Sequence, residues 1–69
     1  MTITLSGLQF RALSPSHFVQ VGYPVAIAFD GVAWFVSVRG AWGIREFASR
    51  EEASQVVADG FNFARENLG

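Results

Sequence analysis

Apolar positions recur at strand spacing through the middle of the chain and at helical spacing near its C-terminal end. Val25-Ala-Ile-Ala-Phe29 and Val32-Ala-Trp-Phe-Val-Ser-Val38 flank Asp30-Gly31, the dipeptide that most strongly signals a hairpin when strand-forming runs lie on both sides. A two-residue type I′ turn at that pair predicts Phe29 opposite Val32, Ile27 opposite Trp34 and Val25 opposite Val36. Those large side chains share one face of the ribbon. Ala26, Ala28, Ala33, Phe35 and Ser37 share the other, because side chains alternate along a strand.

The N-terminal stretch Thr2–Ser6 alternates polar and apolar, which predicts a half-buried strand. Gly7 breaks the phase, and Leu8–Ala12 resumes it one step shifted. A glycine at a phase change predicts a β-bulge inside one long bent strand over residues 2–12, or two short strands. Ser14-Pro15 predicts a capped helical turn over Ser14–Gln20, with His17–Val21 as an extended edge segment the rival reading. After Val38, a glycine-flanked loop holding Trp42 leads to Ile44–Phe47. That is a short edge strand whose Arg45 and Glu46 discourage further pairing. A register placing Phe47 beside Trp34 extends the large face by one aromatic.

Ser49-Arg50-Glu51-Glu52 is a capping box and opens a helix to about Asn67. Ala53, Val56, Val57, Gly60, Phe61, Phe63, Ala64 and Leu68 form its apolar face. Glu51, Ser54, Gln55, Ala58, Asn62, Arg65 and Glu66 lie opposite. Gly60, central on the apolar side, predicts close approach of the helix backbone to the sheet beneath a bulky residue such as Trp34. The expected fold is therefore α+β in two layers: an antiparallel three- to four-stranded sheet, a meander around the Asp30-Gly31 hairpin, with one C-terminal helix packed on one face. Residues 1–69 make a single domain, with no linker and no repeat.

Composition narrows the function more than it names one. Sixty-nine residues leave a thin stability margin, and with no cysteine the chain has neither disulfides nor thiolate metal sites. Residues are 51% hydrophobic and 16% charged, which points to self-association or to a partner covering apolar surface. Net charge is −1, and the five basic residues are arginines scattered along the chain. That distribution makes nucleic acid an unfavoured partner. The absence of lysine suits GC-rich coding and hints at a bacterial or bacteriophage source. No apolar run is long enough to span a membrane, and Met1–Ser6 lacks the features of a secretory signal, so a cytoplasmic location is expected.

Catalytic chemistry has little to stand on. His17, the only histidine, lies near Ser14 and Ser16, but nothing supplies an orienting group or an oxyanion site. No metal or cofactor set is expected, and Gly40 and Gly43 lack the lysine and the strand-to-helix setting of a phosphate loop. Binding is the better reading. Trp42, Arg39 and Arg45 cluster around one loop, and tryptophan and arginine dominate the energetics of protein interfaces. Phe35 lies on the small-residue face of the hairpin, where Ala26, Ala28 and Ala33 permit close approach of a second layer. Either the Leu13–Pro24 segment covers that face, or a second protomer does, with Phe18 and Tyr23 near the contact. Glu52, Asp59 and Glu66, spaced by seven, form an acidic edge on the helix suited to a basic partner surface.

In its size, its lack of a catalytic kit and its α+β make-up, the chain resembles the small stand-alone proteins with which bacteriophages block host complexes, anti-CRISPR proteins among them. The resemblance is one of class and carries no residues. It implies a non-enzymatic protein-binding module acting as an inhibitor or modulator. A small dimeric nucleic-acid-binding or regulatory protein is the alternative. In either case a homodimer is the expected closed assembly.

Overall fold

The computed structural model describes the backbone of residues 1–68 and the side chains of residues 1–61. Six strands precede one helix: β1 (Thr2–Leu5), β2 (Leu8–Ser14), β3 (His17–Gln20), β4 (Val25–Phe29), β5 (Trp34–Val38), β6 (Ala41–Trp42) and α1 (Arg50–Leu68). The strands form one antiparallel meander in sequence order, open at both edges. The class is α+β as expected, but the sheet has six strands rather than three or four.

The extra strands come from turns that the sequence reading placed elsewhere. Ser6-Gly7 is a two-residue turn with both φ values positive, 52° and 79°, and joins β1 to β2 with Leu5 opposite Leu8 and Ile3 opposite Phe10. That is type I′ geometry. The phase change at Gly7 is thus a hairpin, not a bulge in one long strand: with a two-residue turn, odd positions of β1 and even positions of β2 share a face. The bulge lies at Leu13 instead, where the β2–β3 register shifts between Ala12 and Ser14. Arg39-Gly40 repeats the type I′ turn, with φ of 54° and 81°, between β5 and β6.

The central hairpin departs from its expected register by two residues. Phe29 faces Trp34, Ile27 faces Val36 and Val25 faces Val38. Asp30 does not take a left-handed conformation. Its Oδ1 instead accepts the N–H groups of Val32 and Ala33 at 2.8 and 2.9 Å, closing a four-residue loop from Asp30 to Ala33. A slip of two preserves side-chain parity, so the large face survives, with Val38 gained and Val32 moved to the loop tip, 84% exposed. Trp34 now packs against Phe29 and Phe18, with ring centroids 5.4 and 6.0 Å away.

Two further expectations are corrected. Ser14–Gln20 is not helical: Pro15-Ser16 is a turn in which Ser14 Oγ accepts the Ser16 N–H at 3.2 Å, and β3 follows it into the slot between β2 and β4. Ile44–Phe47 is not a strand. Gly43 N–H donates to the Val36 carbonyl at 2.8 Å, after which the chain leaves the edge and only Phe47 returns, bridging Trp34. That Phe47–Trp34 neighbourhood was expected, and both backbone bonds between them are 2.9 Å.

Helix α1 begins as its cap predicts, with Ser49 Oγ accepting the Glu52 N–H at 3.1 Å. Its nearest strands are β1 on one flank and β4 and β5 on the other. Phe10 and Phe18, both buried, fill the trough between. Ser54, 0% exposed, hydrogen-bonds to Ser6 Oγ at 2.8 Å and donates to the Glu51 carbonyl at 2.9 Å. This rolls the helix toward β1. Ala53, Ser54, Val57, Ala58 and Phe61 face inward, while Val56 and Gly60 lie at the rim, so Ser54 and Ala58 were assigned to the wrong side. Among the described residues an added Cβ at Gly60 would meet nothing within 4 Å, and Trp34 packs elsewhere, so the expected close approach to the sheet is absent. The side-chain assignments made for Asn62, Phe63, Ala64, Arg65, Glu66 and Leu68 lie outside the described residues.

Candidate functional site

Strand alternation sets the second sheet face. Phe18, Ile27 and Val36 point to the helix, so His17, Val19, Ala26, Ala28, Phe35 and Ser37 point away from it. Trp42 joins them through its pairing with Ser37. The segment expected as one of two covers for this face, residues 13–24, is built into the sheet as β3 and its turns. Among the described residues no second layer lies over it.

Small side chains shape what the large ones do there. Roughly 14 Å separates β3 from β6 at the usual strand spacing. Yet the rings of His17 and Trp42 come within 6.3 Å, tilted by 58°. Ala26, Ala28 and Ser37 leave room for the two rings to lean toward each other across β4 and β5. Trp42 is therefore partly tucked, but it still exposes half of its surface. Beside it a shallow cleft of about 350 Å³ is lined by Ala28, Phe29, Asp30, Phe35, Trp42 and Gly43. Toward β1 and β2 the same face turns polar through Thr2, Thr4, Gln9 and Arg11. An apolar centre with a polar margin is the usual make-up of a protein-binding surface.

Among the described residues, the one ionisable group lining the cleft is Asp30. The hydrogen bonds from the Ala33 and Val32 N–H groups hold its carboxyl below the ordinary value of 3.8. It is therefore a fixed anion at neutral pH.

Of the residues singled out from sequence, Phe35 and Trp42 meet in this cleft. Arg39 and Arg45 do not join them. Arg39 is the first residue of the β5–β6 turn and lines a groove on the helix side with Tyr23, Val38, Gly60 and Phe61. Arg45 lies over the ring of the core residue Phe47, 4.9 Å from its centroid. The expected Arg39–Trp42–Arg45 cluster is thus dispersed, because the two-residue turn at Arg39-Gly40 sends alternate side chains to opposite faces. Glu52 and Asp59 are exposed on the helix, and Asp59 accepts a hydrogen bond from Gln55 at 2.8 Å. Glu66, the third member of the acidic edge, lies outside the described side chains. Phe18 is core, and Tyr23 packs edge-on against Phe61 on the helix side, so neither reaches the open face.

Sequence reasoning missed Ile44 and Val19. Ile44 is 95% exposed two residues after Trp42, and reading it as a strand residue concealed this. Val19 needed the strand reading of His17–Gln20 to be placed on the open face. Among the described residues His17 has no oriented partner for base chemistry: its ring neighbour is the indole of Trp42, and the Ser14 and Ser16 hydroxyls bond each other at 3.3 Å. No group of histidine, cysteine or acidic residues able to hold a metal exists among the described residues, and none of their helices is long and apolar enough to cross a membrane. Comparison with known proteins returns no match to a family model, a curated protein or a solved structure.

Proposed function

We propose that this protein is a non-enzymatic binding module that docks onto another protein through the open sheet face, with Trp42 and Phe35 as its anchors. One observation carries the reading: an apolar sheet face with an aromatic-lined cleft and no second layer among the described residues. The single arginine on the face among the described residues, Arg11, lies in its polar part, which favours a protein over a phosphate backbone as the occupant.

Occupying a surface is all such a module needs to do to inhibit a larger complex, and that is the activity proposed. Without the partner, the same face pairs two copies about a two-fold axis. Dimer and complex then exclude one another. The test is affinity capture from a bacterial lysate beside sedimentation equilibrium at micromolar concentration. Wild type should retain a discrete protein and sediment above 7.5 kDa. Trp42→Ser should lose both properties, whereas Glu52→Gln should keep them. Capture of nucleic acid alone, or retention of the same protein by Trp42→Ser and Phe35→Ser, would remove the reading.

A further inference from the structure

The cleft beside Trp42 joins two features that call for the same occupant. Its walls are aromatic: Phe35 comes from β5 and Trp42 from β6, and the His17 ring, 6.3 Å from the indole, backs Trp42 from the β3 side. At its rim stands a carboxylate. Asp30 follows Ala28 by two residues, and its N–H donates to the Ala33 carbonyl at 3.1 Å, so strand pairing continues to this point. Alternation therefore carries its side chain to the open face with Ala28. Asp30 is exposed and lines the cleft.

The loop holds this carboxylate by one oxygen. The N–H groups of Val32 and Ala33 donate to Oδ1 at 2.8 and 2.9 Å, and neither engages Oδ2. Two donors fill the capacity of Oδ1, so Oδ2 is the oxygen a ligand meets. Among the described residues the one ion pair is Arg50–Glu51, on the helix, so no described cation of the chain pairs with Asp30. Phe61, the last described side chain of α1, packs on Tyr23 at the far end of β4. About 23 Å of extended chain separates that end from Asp30.

An aromatic wall beside a carboxylate suits a cation. Ring faces attract cations, tryptophan most strongly, and the carboxylate adds an ion pair. Because the rest of the cleft is apolar, the cation should arrive on an aliphatic stem, as those of lysine and arginine do. A guanidinium gains most by placing two parallel N–H bonds on both carboxylate oxygens, and Oδ1 is already filled. An ammonium is a compact charge and needs only Oδ2. We infer that the cleft takes a lysine side chain of the docked partner, its stem on Phe35 and Trp42 and its ammonium on Asp30 Oδ2. This deepens the docking reading and rests on it. The chain contains no lysine, so the occupant comes from a different protein and not from a second copy.

Nα-acetyl-lysine N-methylamide is the probe, titrated into the full chain while amide and indole N–H resonances are followed. Its Nε-acetyl derivative keeps the stem and loses the charge, and the matching arginine compound tests the other cation. The lysine probe should shift the Trp42 indole N–H and the amides of Phe35 and Gly43. It should bind roughly fivefold more tightly than the acetylated probe, as a partly exposed cation–π contact and ion pair allow. Asp30→Asn keeps a carbonyl oxygen for the two loop N–H groups and should bind both probes alike. In wild type, about 0.5 M NaCl should shrink the preference as well, a readout that needs no variant. Equal affinity for the charged and acetylated probes, tighter binding of the arginine compound, a preference untouched by salt and by Asp30→Asn, or shifts that avoid Trp42 would each overturn the inference. Any of these, with protein capture still dependent on Trp42, strikes the lysine alone; capture indifferent to Trp42 strikes the docking reading beneath it.

Discussion

Replacing Gly60 by alanine tests how the helix sits on the sheet. The pattern of apolar positions placed this glycine at the centre of the buried face, where a methyl group would collide with the strands. The structure places it at the rim, with nothing among the described residues within 4 Å of an added Cβ. Alanine there should introduce no clash and little new burial, so its effect reduces to helix propensity. Gly60 lies inside α1, well away from both ends. Glycine in such a position is less favourable than alanine by about 0.8–1.0 kcal/mol, in part because it leaves the unfolded chain more conformations to lose. In a domain of this size 1 kcal/mol raises Tm by roughly 4–8 °C. Thermal melts followed by circular dichroism, with urea titrations to confirm an unchanged m value, measure this directly. A Gly60→Ala protein that melts at or below the wild-type temperature would refute the rolled helix and restore the close contact expected from sequence.

The cap and the loop give two more tests. Ser49→Ala removes the acceptor for the Glu52 N–H and should cost about 1 kcal/mol, read as a lower Tm that Ser49→Asp restores; superimposable melts would show that the cap is idle. Asp30 has a folded pKa below 3.8, so its contribution to stability is complete above that pH and is lost as pH falls from 3.8 through the lower folded value. Asp30→Ala should flatten that part of the stability–pH curve, and a mutant that keeps the wild-type acid slope would show that the two loop N–H groups do not depend on the carboxylate.

Much of this fold was legible because strands and caps are local. Thr2–Leu5, Val25–Phe29, Trp34–Val38 and the helix start at Ser49 follow from alternation and one capping motif. The turns were not equally legible. Asp30-Gly31 has the preferred dipeptide but forms a wider loop, because an aspartate that accepts two backbone N–H groups satisfies more donors than one merely tolerating positive φ. Ser6-Gly7 and Arg39-Gly40 carry weaker signals, yet both form type I′ turns, since glycine supplies one left-handed position and pairing of the flanking strands stabilises the other. Ser14-Pro15 suits a helix start and a tight turn equally, and only the vacancy between β2 and β4 decides between them. The helix roll depends on Ser54 meeting Ser6, 48 positions apart, which no local pattern encodes. At the site, Trp42 and Phe35 were visible as large aromatics among small residues, whereas Val19 emerged only once β3 was a strand.

The open face follows from how the chain is spent. Six strands at about 4.8 Å spacing make a sheet roughly 24 Å wide. A helix of 19 residues, about 28 Å long, can cover one side of it. Short turns take up most of what remains, so the meander leaves no segment among the described residues for a second layer. A face left in water is a hazard unless its apolar content is kept low. Here Thr2, Thr4, Gln9, Ala26 and Ala28 add little apolar area, and Ser37 is already shielded at 5% exposed. Phe35 and Trp42 break that rule. Both could be small without disturbing the core, since Phe10, Phe18, Ile27 and Phe47 form it on the other side. Large aromatics retained where the fold does not need them are most simply explained by binding, and this is why Trp42, rather than the scattered arginines or the acidic helix edge, is the residue on which the functional test turns.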